Sequence, residues 1–133
     1  MSDEAAVVEA NAGFYRAFEA LDVAAMDRVW AHGAHVKCVH PGWPLLTGWE
    51  AVRESWTAIF ESTQEMRFTL SDVQAVVGGD LAWVTCTGNI LSDVAGRVTV
   101  TAILATNVFA RDVDGWRLVH HHASHILAPR AAG

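Results

Sequence analysis

Apolar positions in the first half of the chain recur at helical spacing, and those in the second half alternate as in strands. Val7, Phe14, Phe18 and Leu21, with Val8 and Tyr15 beside them, form one stripe behind Asp3 and Glu4, which charge the start of a first helix. Asp22 predicts the N-cap of a shorter second helix that carries Val23, Met26, Val29 and Trp30 and ends at Gly33. Residues 34–40 hold β-branched side chains and stop at Pro41-Gly42, which predicts a strand with His40 at its end. Thr47 and Glu50 have capping-box spacing and predict a third helix with Trp49, Val52, Trp56, Ile59 and Phe60 on its buried stripe, ending near 61–63.

Four strand-length segments follow, 66–77, 81–91, 97–110 and 116–127, punctuated by Gly78-Gly79-Asp80, Ser92-Asp93 with Gly96, and Asp114-Gly115. Such short links predict antiparallel pairing, and helices followed by a meander predict an α+β domain over 1–133. Leu81, Trp83, Thr85, Thr87 and Asn89 share one face of their strand, and Ala82, Val84, Cys86, Gly88 and Ile90 share the other. Ile103, Ala105 and Phe109 likewise oppose Leu104, Thr106 and Val108. Both faces are largely apolar, so a second subunit is expected on the outer one, giving a homodimer through the sheet.

Composition narrows the function classes. The 133 residues are 52% hydrophobic with a formal charge of −6, which excludes disorder and offers no footprint for phosphate backbones or anionic lipid. No nucleic-acid or membrane partner is expected. The opening Met1-Ser2-Asp3-Glu4 is acidic where a signal peptide is basic, and no apolar run reaches spanning length, so a cytoplasmic location is expected. Cys38 and Cys86 lie in strand-like segments without metal-ribbon spacing and read as buried thiols. Phosphate loops, His-Glu-x-x-His and Gly-x-Ser-x-Gly are missing from the sequence, and no cofactor is expected.

The candidate chemistry rests on histidine. His40, beside the stiff Pro41-Gly42-Trp43-Pro44 loop, is the candidate general base, because imidazole titrates near neutrality; a bond to the loop backbone is the structural alternative. Strict alternation in the last strand puts Trp116, Leu118, His120, His122 and Ser124 on one face, read as a cavity wall, and Arg117, Val119, His121, Ala123 and His125 on the other. His120 and His122 could also present two imidazoles to a metal with His40 as third ligand, although wall or packing roles compete, and no metal is assigned. His32, His35, His121 and His125 read as surface, helix-end or interface residues. Tyr15 is a candidate hydroxyl donor whose alternative is core packing. Trp43 and Trp56 are expected near a ligand, with Thr85, Asn89, Thr106 and Asn107 as its polar contacts.

The helix-helix-strand-helix-sheet order, His40-Pro41-Gly42-Trp43 ahead of Thr47-Gly48-Trp49-Glu50, and Trp116 through Ser124 together resemble a SnoaL-like member of the nuclear-transport-factor-2-like superfamily. The resemblance covers 5–127 and implies a cone-shaped α+β barrel, three helices packed in a strongly curved, mostly antiparallel sheet with a deep pocket, and dimers formed through the outer sheet face. The superfamily includes ketosteroid isomerases, polyketide cyclases, limonene epoxide hydrolases and dehydratases, together with non-catalytic transport factors and kinase association domains. A ketosteroid isomerase sets a helix Tyr and a strand Asp around an oxyanion and moves the proton with an Asp at the end of the first strand. The matching positions here are Phe14 with Tyr15 adjacent, Thr106, and Cys38 or His40, a departure that speaks against that activity. His120-x-His122-x-Ser124 after Trp116 and Val119 also resembles the last strand of calcium/calmodulin-dependent kinase association domains. The expected function is binding of a small hydrophobic, oxygen-bearing molecule with proton transfer by an isomerase, cyclase or hydrolase; the alternative is a non-catalytic binding or oligomerisation domain.

Overall fold

The computed structural model describes residues 2–127. Ser2 caps α1 (Asp3–Glu19) by accepting the Ala5 N–H at 3.1 Å, and Asp22 caps α2 (Val23–Val29) by accepting from Ala25 N at 3.1 Å. The second helix ends at Trp30, earlier than the Gly33 expected from sequence. Next come β1 (Lys37–Val39), a two-residue β2 (Leu46–Thr47) and α3 (Trp49–Ser62). The capping box does not form. Gly48 at φ 91° takes the N-cap position without a side-chain bond, and Thr47 Oγ1 instead accepts from Lys37 Nζ at 3.3 Å.

Four long strands follow: β3 (Thr63–Gly78), β4 (Leu81–Val94), β5 (Arg97–Asp112) and β6 (Gly115–His125). The sheet order is β2-β1-β6-β5-β4-β3, antiparallel except for the parallel β1–β6 pair, which returns the chain from the N-terminal half to the last strand. The three helices pack against one face of this curled, unclosed sheet, the cone-shaped α+β arrangement expected from sequence. At one edge β3 carries a register shift between Ser71 and Gln74, with Asp72 at φ 50°, and Glu19 Oε2 accepts its Phe68 N–H at 2.9 Å. None of the helices among the described residues is long and apolar enough to cross a membrane.

The core sits between the helices and the inner sheet face. Phe14 stacks edge-on against Tyr15, Trp30 and Trp56, while Ala82, Val84, Cys86, Ile103, Ala105 and Phe109 supply the strand side. Small residues of β4 face inward and Trp83 faces outward because α1 lies close against the middle of the sheet.

A bulge reverses the reading of β6. Leu118 pairs with Phe109 but His120 pairs with Val108, which leaves Val119 as the extra residue. Beyond it every side chain changes face, so His121 and Ala123 point into the core while His120, His122 and Ser124 share the outer face with Val108, Thr106 and Leu104.

Candidate functional site

A cavity of 220 Å³ opens between α1, α3, the loop after β1 and the inner sheet face. Phe18, Ile59, Met66, Phe68, Ile90 and Ile103 supply apolar walls, Pro41 and Trp43 one side, and Tyr15, His40 and His121 the polar groups. Among the described residues no Lys, Arg, Asp or Glu lines it, and Ser92, Thr101 and His125 are its remaining polar side chains. A larger recess of 610 Å³ lies on the far side of α2 among Asp27, Arg28, His32, His35, Asp112 and Arg117, open to solvent and away from these groups.

His40 is delivered by the turn that follows β1. Trp43 N donates to His40 O at 2.8 Å, with Pro41 and then Gly42 at φ 81° in the two central positions, the pattern of a type II turn. The ring is buried edge-on against Trp43 and Trp56. Its Nε2 is 2.8 Å from Ser55 Oγ, and the Ser55 hydroxyl donates its one proton to Val52 O at 2.6 Å. Ser55 therefore accepts from Nε2–H, which leaves the His40 lone pair on Nδ1. Burial lowers His40 to about 4, so it is neutral at pH 7. Cys38 Sγ lies 3.6 Å from Nε2, and burial pushes that thiol up to about 12, so it is no thiolate nucleophile.

His121 is the second imidazole, held by a network the sequence reading did not assemble. Its Nδ1–H donates to Asn107 Oδ1 at 2.6 Å, so its lone pair is on Nε2. The Asn107 amide in turn donates to Asn11 Oδ1 at 2.8 Å and to Tyr15 Oη at 3.2 Å. Cys86 S–H donates to the same phenol at 3.6 Å. Both Tyr15 lone pairs are thereby engaged, and its O–H remains to be donated. Burial, then the neighbouring Cys86, raises Tyr15 well above its ordinary value, so the phenol stays protonated. Burial first, with His40 and the two flanking histidines adding to it, lowers His121 to about 3. The site thus presents one neutral donor and two neutral acceptors inside apolar walls.

Of the residues expected at the site, Tyr15, His40 and Trp43 line the cavity, and Asn107 stands directly behind Tyr15 and His121. Trp56 is fully buried behind His40 and does not line it. Thr85, Asn89, Thr106, His120, His122 and Ser124 project from the outer sheet face, so their expected place in this cavity is corrected. His40 and the His120–His122 pair lie on opposite sides of the sheet and do not converge. Among the described residues no cluster of three His, Cys, Asp or Glu is placed to hold a metal ion. Asn11 and Ser55 were missed although each interrupts an apolar helical stripe, Asn11 between Val7 and Phe14 and Ser55 between Val52 and Ile59.

The family model described as the SnoaL-like domain matches residues 7–129. The chain belongs to the SnoaL-like family. Among solved structures, this SnoaL-like chain is 43% identical to a candidate dehydratase of the nuclear-transport-factor-2-like family from Streptomyces avermitilis, with a TM-score of 0.89 over 95% of this chain and 97% of that one. It is 37% identical to a candidate calcium/calmodulin-dependent protein kinase type II association domain from Thiobacillus denitrificans, with a TM-score of 0.78 over 89% and 93% of the two chains. It is also 31% identical, over 122 residues, to the F-box protein SKIP8 of Arabidopsis thaliana. The match covers 92% of this SnoaL-like chain and spans half the length of that protein.

Proposed function

We propose that the cavity binds a small, uncharged, oxygen-bearing molecule and that the chain moves a proton on it. The observation that carries this reading is the convergence of the Tyr15 hydroxyl with two neutral imidazoles on an apolar space that, among the described residues, has no charged side chain in its lining. A substrate carbonyl oxygen accepts from Tyr15, and His40 takes the proton from the adjacent carbon. Negative charge then develops on the oxygen beside Tyr15, where a buried hydrogen bond is worth more than in water. That charge also stabilises the imidazolium formed on His40, which offsets the weak basicity burial imposes. Return of the proton to another carbon completes an isomerisation, and its return to a departing hydroxyl completes a loss of water. The likeness to the candidate dehydratase supports the second outcome.

Thermal-shift screening against uncharged one-ring ketones and hydroxyketones tests the reading, since a bound ligand raises apparent stability by mass action. Hits are then followed by NMR for deuterium uptake next to the carbonyl and for loss of water. His40→Gln, which keeps a polar side chain beside Ser55, is expected to slow that exchange about 100-fold with the fold intact by circular dichroism. Unchanged exchange in this variant would remove His40 as the proton acceptor.

A second reading is favoured by the outer sheet face. Trp83 is 45% exposed, Leu104 49% and Val100 74%, apolar side chains spaced along β4 and β5 with Thr85, Thr87, Asn89 and Thr106 between them. We propose that a second copy covers it, in keeping with the likeness to the candidate association domain. Sedimentation analysis is expected to give twice the monomer mass for the wild type and the monomer mass for Trp83→Glu combined with Leu104→Glu. A monomeric wild type at micromolar concentration would end this reading without touching the cavity.

A further inference from the structure

Phe68 separates two spaces. On one side is the 220 Å³ cavity, and on the other a recess of 230 Å³ between α1 and β3. Phe68 and Tyr15 line both, whereas Ala12, Arg16, Glu19 and Leu70 line the recess alone. The Phe68 ring is fixed by Phe18 at 4.7 Å and Tyr15 at 5.2 Å between centroids, and its backbone by the Glu19 carboxylate at 2.9 Å. It is therefore a held partition and not a loose surface side chain.

The geometry points to Phe68 as the residue that limits ligand length: the site takes a one-ring ketone with a short alkyl arm and rejects longer arms, which would need the space behind this ring. The inference rests on the ligand-binding reading above. At the packing density of protein interiors the cavity holds roughly ten non-hydrogen atoms, the size of a ring carrying a carbonyl and two or three carbons. Tyr15 is on the same boundary, so a ligand whose oxygen meets the phenol has its substituents aimed either back into the cavity or at Phe68. Removing the ring joins the two volumes and leaves the Tyr15 hydroxyl in place, because Asn107 and Cys86 hold it from the other side.

The experiment is calorimetric titration of phenyl n-alkyl ketones, from acetophenone to heptanophenone, into wild type, Phe68→Ala and Phe68→Leu. Wild-type affinity is expected to rise over the first members and then fall tenfold or more as the arm meets Phe68. In Phe68→Ala the rise should continue, about fourfold per added methylene. Phe68→Leu, the variant more certain to fold, should move the break by at least one methylene. Adding Ala12→Leu to Phe68→Ala fills the recess and should restore the wild-type break. An unmoved break in both folded Phe68 variants overturns the inference and leaves the ligand-binding reading standing. Failure of every ketone to bind wild type overturns that reading and this inference together.

Discussion

Replacing Asn107 by leucine is expected to lower the free energy of unfolding by about 3–5 kcal/mol. The two side chains are close in size, so the cost is polar and not steric. Leucine leaves the His121 Nδ1–H without its acceptor and Asn11 Oδ1 without its donor, and it takes one of two donors from Tyr15. Each buried group deprived of its partner costs about 1–3 kcal/mol. The same substitution frees the His121 ring to rotate and the Tyr15 hydroxyl to turn back into the protein, so affinity for ketones should fall with stability. Urea unfolding checks the first effect through a lower midpoint at unchanged slope. A loss below 1 kcal/mol would mean that the network is ornamental to the fold.

Acid is expected to destabilise the chain progressively below about pH 6.5. His40 is lowered to about 4 and His121 to about 3, both by burial, against an ordinary value of 6.5. Between those limits the unfolded chain binds protons that the native chain refuses, so stability falls as pH falls. The loss starts near pH 6.5, continues for His40 down to about 4, and goes on for His121 to about 3. His40 alone accounts for about 3 kcal/mol, and the pair for more, out of the 5–15 kcal/mol typical of a domain. From pH 6 to 4.5 the slope should correspond to about two protons, roughly 2.7 kcal/mol per pH unit. His40→Gln should halve that slope. The carboxylate pairs are exposed and contribute little, as with Arg16–Glu9 and Arg67–Glu65. A stability flat from pH 7 to 4.5 would show that the imidazoles are solvated in solution.

The three helices, the four long strands and the place of His40 beside the pocket were legible because they follow from periodicity and turn chemistry. Three features were not. Hydrophobicity could not decide which face of β4 is interior, because Ala82, Val84, Cys86 and Gly88 are no more apolar than Leu81 and Trp83; closeness of α1 settles it. Hydrophobicity alone therefore puts Thr85 and Asn89 in the cavity, whereas they face outward. In β6 the alternating pattern runs unbroken from Trp116 to His125, and the extra residue at Val119 leaves no local trace, so alternation alone puts His120 and His122 on the face that His121 occupies. A trace does exist across the strand. Asn107 lies in phase with Ile103, Ala105 and Phe109, and a buried amide needs a partner that the neighbouring strand must supply. The capping box failed because Gly48, in the left-handed region, lets the chain enter α3 without a side-chain cap.

The outermost strand carries one more consequence. Sixteen residues long and at the edge of the sheet among the described residues, β3 has the dimensions of a template on which foreign backbone can polymerise. The Glu19 carboxylate plugs an amide in its first half, and the kink at Asp72 breaks its straightness soon after. An incoming segment meets only short collinear stretches on either side of these obstacles. Growth of fibrils from this flank is thereby discouraged, and the same helix that frames the cavity also blocks part of the sheet's open edge.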